Sequence, residues 1–409
     1  MNAGAALPGG RPGWRLALAV TLVLQIVSSF AIRALPVIGP EITAAAGRAP
    51  HDIGILAGAI SAGSMGFLLC GGLAISACGP IRILQIGALI CAAGAFLCLP
   101  ASWWLLVPAA FLIGVGYGPS PPAASELLTR TSPPAHRSLI MSIKQAGVPL
   151  GGALAGVLLP ALVALADWRA ALLATAIIAL TSALAVQPWR EALDAGRDAS
   201  RRPTMARLLS PANLAMPFLV LREVPGMLPL TLATVCFASA QSCVLAFFVT
   251  QLTSETGFPL AVAGAAFSAM QVSGTFSRIV MGWIADRLGS ARTLLFLALG
   301  SAAVVTALAF MDGGWPVWRV MAAGVAVGAT SISWNGVYLA EVARVVPLRR
   351  IGDATSGSTF FLFIAYAAGP FLFALGVPLA GGYGACFLVV ALVQLLAVPA
   401  LARCIRLNP

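Results

Sequence analysis

Three side chains place a full charge inside long apolar stretches of this 409-residue chain: Arg33, Lys144 and Arg278. A cation in hydrocarbon is costly unless it faces a water-filled path or finds a partner, so these positions are where chemistry is expected. Arg278 stands eight residues before Asp286. On a helix that is about 12 Å, deep in a hydrocarbon core about 30 Å thick; it reads either as a substrate contact or as an arginine stretching back to the surface. Lys144, the single lysine beside 23 arginines, lies seven residues inward from Arg137. Unlike arginine, lysine can exchange its proton, so it can bind an anion or couple transport to a proton, or else its four-carbon stem reaches the interface. Arg33, near the outer end of the first apolar stretch, can bind an anion or reach outward.

All thirteen Asp and Glu residues fall in loops or at the ends of apolar stretches, with none plainly buried. A carrier of cations would be expected to keep a carboxylate in its path. Three interior cations and no interior carboxylate favour a negatively charged substrate. Tyr117, Gln145, Gln241, Gln271, Trp334, Asn335, Tyr338 and Tyr366 could complete a pocket, although for each alone core packing is the simpler role.

Other chemistries lack their parts. The two histidines, His51 and His136, lie in loops with no carboxylate cluster nearby, so no metal site or acid–base pair is indicated. The eight cysteines include no CxxC spacing, and no phosphate-cradling Walker loop occurs. The expectation is a non-enzymatic protein without a cofactor. A transporter-like receptor stays open beside a carrier.

The elements that must position these residues follow from composition. Hydrophobic residues make up 60% of the chain and charged ones 9%, against about 25% charged in soluble domains. That is a membrane protein. Spans of about 20 apolar residues are expected at 16–38, 53–76, 82–100, 104–128, 138–164, 170–187, 227–250, 260–284, 292–311, 316–342, 353–378 and 384–402. Of the 24 basic residues, eighteen fall on the side of the two termini and only Arg48, Arg169 and Arg319 on the other. The bias toward positive charge inside puts both termini in the cytoplasm. The net charge of +11 is spread over span ends, not gathered into a nucleic-acid surface.

The stretch 188–226, with its prolines and with Asp194, Asp198, Arg201 and Arg202, reads as a flexible linker between six spans at 1–187 and six at 227–409. Gly72, Gly79, Arg82, Gly114 and Gly118 recur 210 positions later as Gly282, Gly289, Arg292, Gly324 and Gly328, the mark of a duplicated half.

The segment from Gly282 through Asp286, Arg287 and Gly289 to Arg292 resembles the signature loop of the major facilitator superfamily. The first half keeps a partial copy in which Ser76 and Ala77 replace the Asp-Arg pair. The resemblance implies an all-helical membrane fold of 12 transmembrane helices in two pseudo-symmetric six-helix bundles. It also implies a gate in which Gly282 lets a neighbouring helix approach while Asp286 and Arg287 bond facing helices, with Glu341 and Arg344 as partners. Glu126 and Arg130 stand at the matching helix end of the first half, four residues apart and so able to pair. The alternative is that these charges only anchor helix ends among the headgroups.

The stretch Lys144 to Gly152, with Pro149 and then Gly156, resembles the glycine-proline fifth helix of bacterial facilitators, although it departs from the antiporter version. Ala110 replaces a frequent family arginine. Anion-carrying facilitators, the monocarboxylate and oxalate carriers among them, often have an arginine at the place of Arg278. The surroundings of Arg33 resemble the first helix of cyanate and nitroimidazole transporters, with Ala31 where those have asparagine. The expectation is a monomeric secondary transporter of the bacterial inner membrane. It would move a small organic anion, driven by a coupling proton or counter-anion; the alternative is a proton-coupled efflux pump for drugs or other apolar compounds.

Overall fold

The computed structural model describes residues 13–70, 72–133, 136–197, 223–346 and 351–407, which form helices and connecting turns with no strand among them. Arg11, Arg201, Arg202, Arg207, Arg222, Arg349 and Arg350 lie outside the described residues, as does most of the expected linker. The first half carries α1 (Trp14–Val37), α2 (Ile53–Cys70), α3 (Gly72–Cys78), α4 (Pro80–Leu97), α5 (Trp103–Tyr117), α6 (Ser120–Thr131), α7 (Arg137–Leu165) and α8 (Trp168–Ala185). The second carries α9 (Met227–Ser254), α10 (Leu260–Leu288), α11 (Ser290–Ala309), α12 (Val317–Val327), α13 (Trp334–Val345), α14 (Ile351–Ala380), α15 (Tyr383–Leu395) and α16 (Ala397–Leu407).

Ten helical stretches among the described residues are long and apolar enough to cross a membrane. The 29-residue α10 is not among the ten. Its middle carries Gln271, Ser273, Thr275, Ser277 and Arg278, the polar load expected of a helix that faces a path and not lipid. Two spans run continuously over Trp103–Thr131 and Val317–Val342, each with a local irregularity at paired positions. Gly118 and Pro119 separate α5 from α6, where prolines lack the helical donor. In the second half a π turn, Gly328–Ile332, follows α12. Such turns recur at functional sites.

The duplication is visible in the backbone. Gly79 has φ +95° and ψ 146°, and its partner Gly289 has φ +89° and ψ 142°; both sit just before a helix. Gly114 packs on the carbonyl of Ile60 and its partner Gly324 on that of Ala266, so closely that a methyl group would overlap either oxygen. Glycine at these positions lets two helices meet backbone to backbone.

The apolar cores show how the halves sit. Away from the termini, one core draws on both halves, with Leu35, Ile53 and Leu159 packing alongside Phe247, Phe267 and Phe387. Toward the termini there are two separate cores, one of Ala17, Ile81, Leu128 and Leu193, the other of Met227, Leu294, Trp334 and Leu401. The halves touch at one end and part at the other. At the joined end Gly54 lies against the carbonyl of Pro370 and Gly156 against that of Gly264, and Ser268 Oγ donates to the Ala153 carbonyl at 2.8 Å. The three arginines assigned to the far side each lie over an indole: Arg48 over Trp103 at 4.6 Å, Arg169 over Trp168 at 4.3 Å and Arg319 over Trp315 at 3.9 Å.

Two carboxylates expected at the surface are buried. Glu341 is fully enclosed and Asp194 nearly so. Each is held by donors close at hand, Glu341 by Arg344 and Asp194 by backbone N–H groups. The start of the expected flexible linker is ordered as well, with a short helix at Arg190–Leu193 that leads Asp194 into the first half.

Candidate functional site

Where the two halves part, Arg33 of α1 and Arg278 of α10 come within electrostatic reach of each other and of Tyr117 and Tyr366. All four side chains are deep in the protein yet partly open to solvent, as residues lining an internal space are. Arg278 Nε donates to the carbonyl of Ile332 at 3.4 Å, at the end of the π turn. A π turn disturbs the regular carbonyl ladder of a helix, which suits that oxygen to a side-chain donor. Neither guanidinium has an ion-pair partner among the described residues.

The surroundings are polar and ordered. Tyr117 faces Gln25 and Ser29 of α1, and Gln25 Nε2 donates to Ser29 Oγ at 3.1 Å. Across the space, Tyr366 Oη and Trp334 Nε1 lie 2.8 Å and 2.9 Å from Gln241 Oε1. Gln25 and Ser29 are functional candidates that sequence reasoning passed over. Their signal was present, since Gln25, Ser28 and Ser29 cluster within five residues of a helix that is mostly apolar.

Several expected site residues lie elsewhere. Lys144 does not open onto this space and does not reach the interface, being fully buried with Nζ 3.3 Å from the Ser120 carbonyl and 3.5 Å from Gln145 Oε1. Ser120 in turn meets Ser28 of α1 at 3.1 Å. Gln145 is exposed. Gln271 is buried against Gly152, where the halves join. Trp334 and Tyr338 are core residues: Trp334 stacks on Phe237 at 5.3 Å, and the Tyr338 hydroxyl bonds Ser358. They back the site and do not line it. Asn335 is half-buried.

The gate residues are disengaged. A methyl group on Gly282 would meet nothing within 4 Å, so the expected close helix approach is not made here. Asp286, Arg287 and Arg292 are exposed, and the Arg287 guanidinium lies 3.6 Å from the centre of its neighbour Trp283. Glu341 does not meet Asp286 or Arg287. It takes both Arg344 Nε at 3.0 Å and a second guanidinium nitrogen at 2.7 Å, a fork that holds Arg344 firmly charged. Glu126 and Arg130 pair at 3.6 Å on the rim of the first half. These contacts fit a molecule whose halves are apart at the terminal end.

Residues 21–370 and 230–409 match the family model described as Major Facilitator Superfamily. Two uncharacterized MFS-type transporters, from two strains of Mycobacterium tuberculosis, are each 25% identical over 369 residues, covering 88% of this chain and 79% of theirs. Among solved structures, a bacterial homolog of the human lysosomal transporter Spinster, inward-facing and unoccupied, has a TM-score of 0.78 at 14% identity, over 98% of both chains. The peptide transporter POT in complex with sulfate has a TM-score of 0.77 at 16% identity, covering 96% of this chain and 95% of its own.

Proposed function

The chain belongs to the major facilitator superfamily, and from that premise we propose that it carries a small organic anion across the membrane by alternating access. The observation that carries this reading is that Arg33 and Arg278, one from each half, lie within electrostatic reach of each other and that neither has an ion-pair partner among the described residues. Two like charges in a poorly solvated space repel each other, and an anion placed between them relieves both. Because one arginine comes from each half, such an anion would touch both halves, where a rocking carrier binds its substrate.

The 12 helices form two six-helix bundles that rock about this site, exposing it first to one face and then to the other. The protein works as a monomer in the bacterial inner membrane with both termini in the cytoplasm, in keeping with the skewed distribution of arginine. A gradient of protons or of a counter-anion drives the cycle, and no bond is made or broken in the substrate.

The test is binding followed by flux. Purified protein is screened for thermal stabilisation by small carboxylates and cyanate-like anions, since a ligand of the folded state raises its melting temperature. A stabilising anion is then offered to liposomes in counterflow. Accumulation of labelled anion supports a carrier. Binding without counterflow points to a receptor, and stabilisation by apolar amines alone favours drug efflux.

A further inference from the structure

The hydrogen-bond polarity of the site wall follows from one indole. Trp334 Nε1–H can only donate, and it lies 2.9 Å from Gln241 Oε1. That contact sets the orientation of the amide, because a flipped Gln241 would press its own NH2 donors against the indole N–H. Tyr366 Oη lies 2.8 Å from the same oxygen. A carbonyl oxygen accepts and never donates, so the tyrosine proton is committed to Gln241. With two donors the lone pairs of Gln241 Oε1 are filled.

Tyr366 therefore offers only oxygen lone pairs to the space it shares with Arg33 and Arg278. Neither arginine uses them: among the described residues Arg278 Nε goes to the Ile332 carbonyl, and no guanidinium donates to Tyr366. An acceptor thus shares the electrostatic environment of two cationic donors. A plain carboxylate brings acceptors only, and would set its oxygens against the tyrosine lone pairs. An ammonium group would supply a donor, but beside two guanidiniums it is repelled.

We propose that the substrate is a small hydroxycarboxylate whose carboxylate meets Arg33 and Arg278 and whose hydroxyl donates to Tyr366 Oη, held in place by Gln241 and Trp334. This deepens the anion-carrier reading and rests on it. Tyr366 is the specificity-determining contact, and Gln241 is a positioning residue that acts through it.

The experiment measures thermal stabilisation of the purified full-length chain by three matched pairs: acetate and glycolate, propionate and lactate, succinate and malate. The hydroxylated member of a pair is expected to bind about tenfold more tightly, the size of one net hydrogen bond in a partly buried site. Tyr366→Phe should erase that ratio while still binding the plain acid. Gln241→Leu frees the tyrosine proton to donate, and should turn the preference toward the plain acid. Equal binding within every pair by the unaltered protein, or a preference that survives Tyr366→Phe, overturns the hydroxyl assignment and leaves the anion reading in place. If none of the six anions stabilises the protein, both fall.

Discussion

Gly79 lies directly beneath the carboxylate of Asp194, in a backbone conformation, φ +95°, that side chains with a Cβ avoid. A methyl group there would come within 2.7 Å of Asp194 Cβ. The carboxylate accepts from the N–H groups of Ile81 at 2.8 Å and Arg82 at 3.0 Å, and so caps α4 from 113 residues away in sequence. Its duplicate Gly289 has the same backbone and open space above it. Gly79→Ala is therefore expected to lower stability by about 2 to 4 kcal/mol, backbone strain plus overlap, and Gly289→Ala by about 1 to 2 kcal/mol from the backbone alone. Melting temperatures in detergent check the difference.

The same carboxylate gives a pH signature. Burial raises Asp194 above its ordinary value of 3.8, with the two backbone hydrogen bonds opposing the shift. The folded state then holds a proton that the unfolded chain has already released. Stability from this group accordingly rises as pH falls from the folded value to the ordinary one, and is flat above. Unaltered protein should gain melting temperature relative to Asp194→Asn as pH is lowered through that window. A difference that does not change with pH would contradict the assignment.

Asp286 is exposed and has no ion-pair partner among the described residues. Asp286→Asn should leave the melting temperature of this conformation within about 0.5 kcal/mol of its original stability. It should nevertheless slow transport, because the contact it serves forms only when the terminal end shuts. Uptake at the original rate would sink the gate role.

Arg278→Lys should fold, since its main partner is a single carbonyl, yet lose about 1.5 to 3 kcal/mol of affinity for an anion, the loss of one charged hydrogen bond. Lysine cannot reproduce the planar fork of a guanidinium. Arg33→Lys should do the same. Unchanged affinity in both variants would remove the support for an anion site.

Lys144 is enclosed, and among the described residues its Nζ meets a carbonyl and an amide oxygen and no carboxylate. Replacing an unpaired buried charge by an apolar group of similar size is often neutral or stabilising, so Lys144→Met should keep or raise the melting temperature. If the lysine couples transport to protons, the variant loses proton-driven accumulation and keeps counterflow. Full accumulation would exclude that role.

The membrane class and the placement of Arg33 and Arg278 inside apolar helices were legible in the sequence, because hydrophobicity is set by composition and length. The glycine pairs 210 apart were legible too: Gly79 and Gly289 share one backbone conformation, and Gly114 and Gly324 each pack on a neighbouring helix's carbonyl, although the surroundings of Gly79 and Gly289 differ. Pairings across helices were not legible. Nothing near Lys144 in sequence announces Ser120, and nothing near Glu341 hides it until α16 brings Cys404 against its carboxylate. Asp194 looked like linker because its partners, Ile81 and Arg82, stand in the first turn of α4, more than a hundred residues earlier. The expected gate contacts of Asp286 and Arg287 are not made here, and a contact that belongs to another conformation would not be visible in this one.

The arginine–indole pairs at the joined end have a mechanical consequence. Trp103 and Trp168 belong to one half and Trp315 to the other, and each ring with its stacked guanidinium is suited to headgroup depth. A motion that separates the halves at that end has to drive these anchors apart within the lipid layer, widening the protein's footprint in one leaflet and doing work against its lateral pressure. The lipid packing of that leaflet thereby becomes a load on the conformational equilibrium, acting with no ligand bound and at a distance from the site.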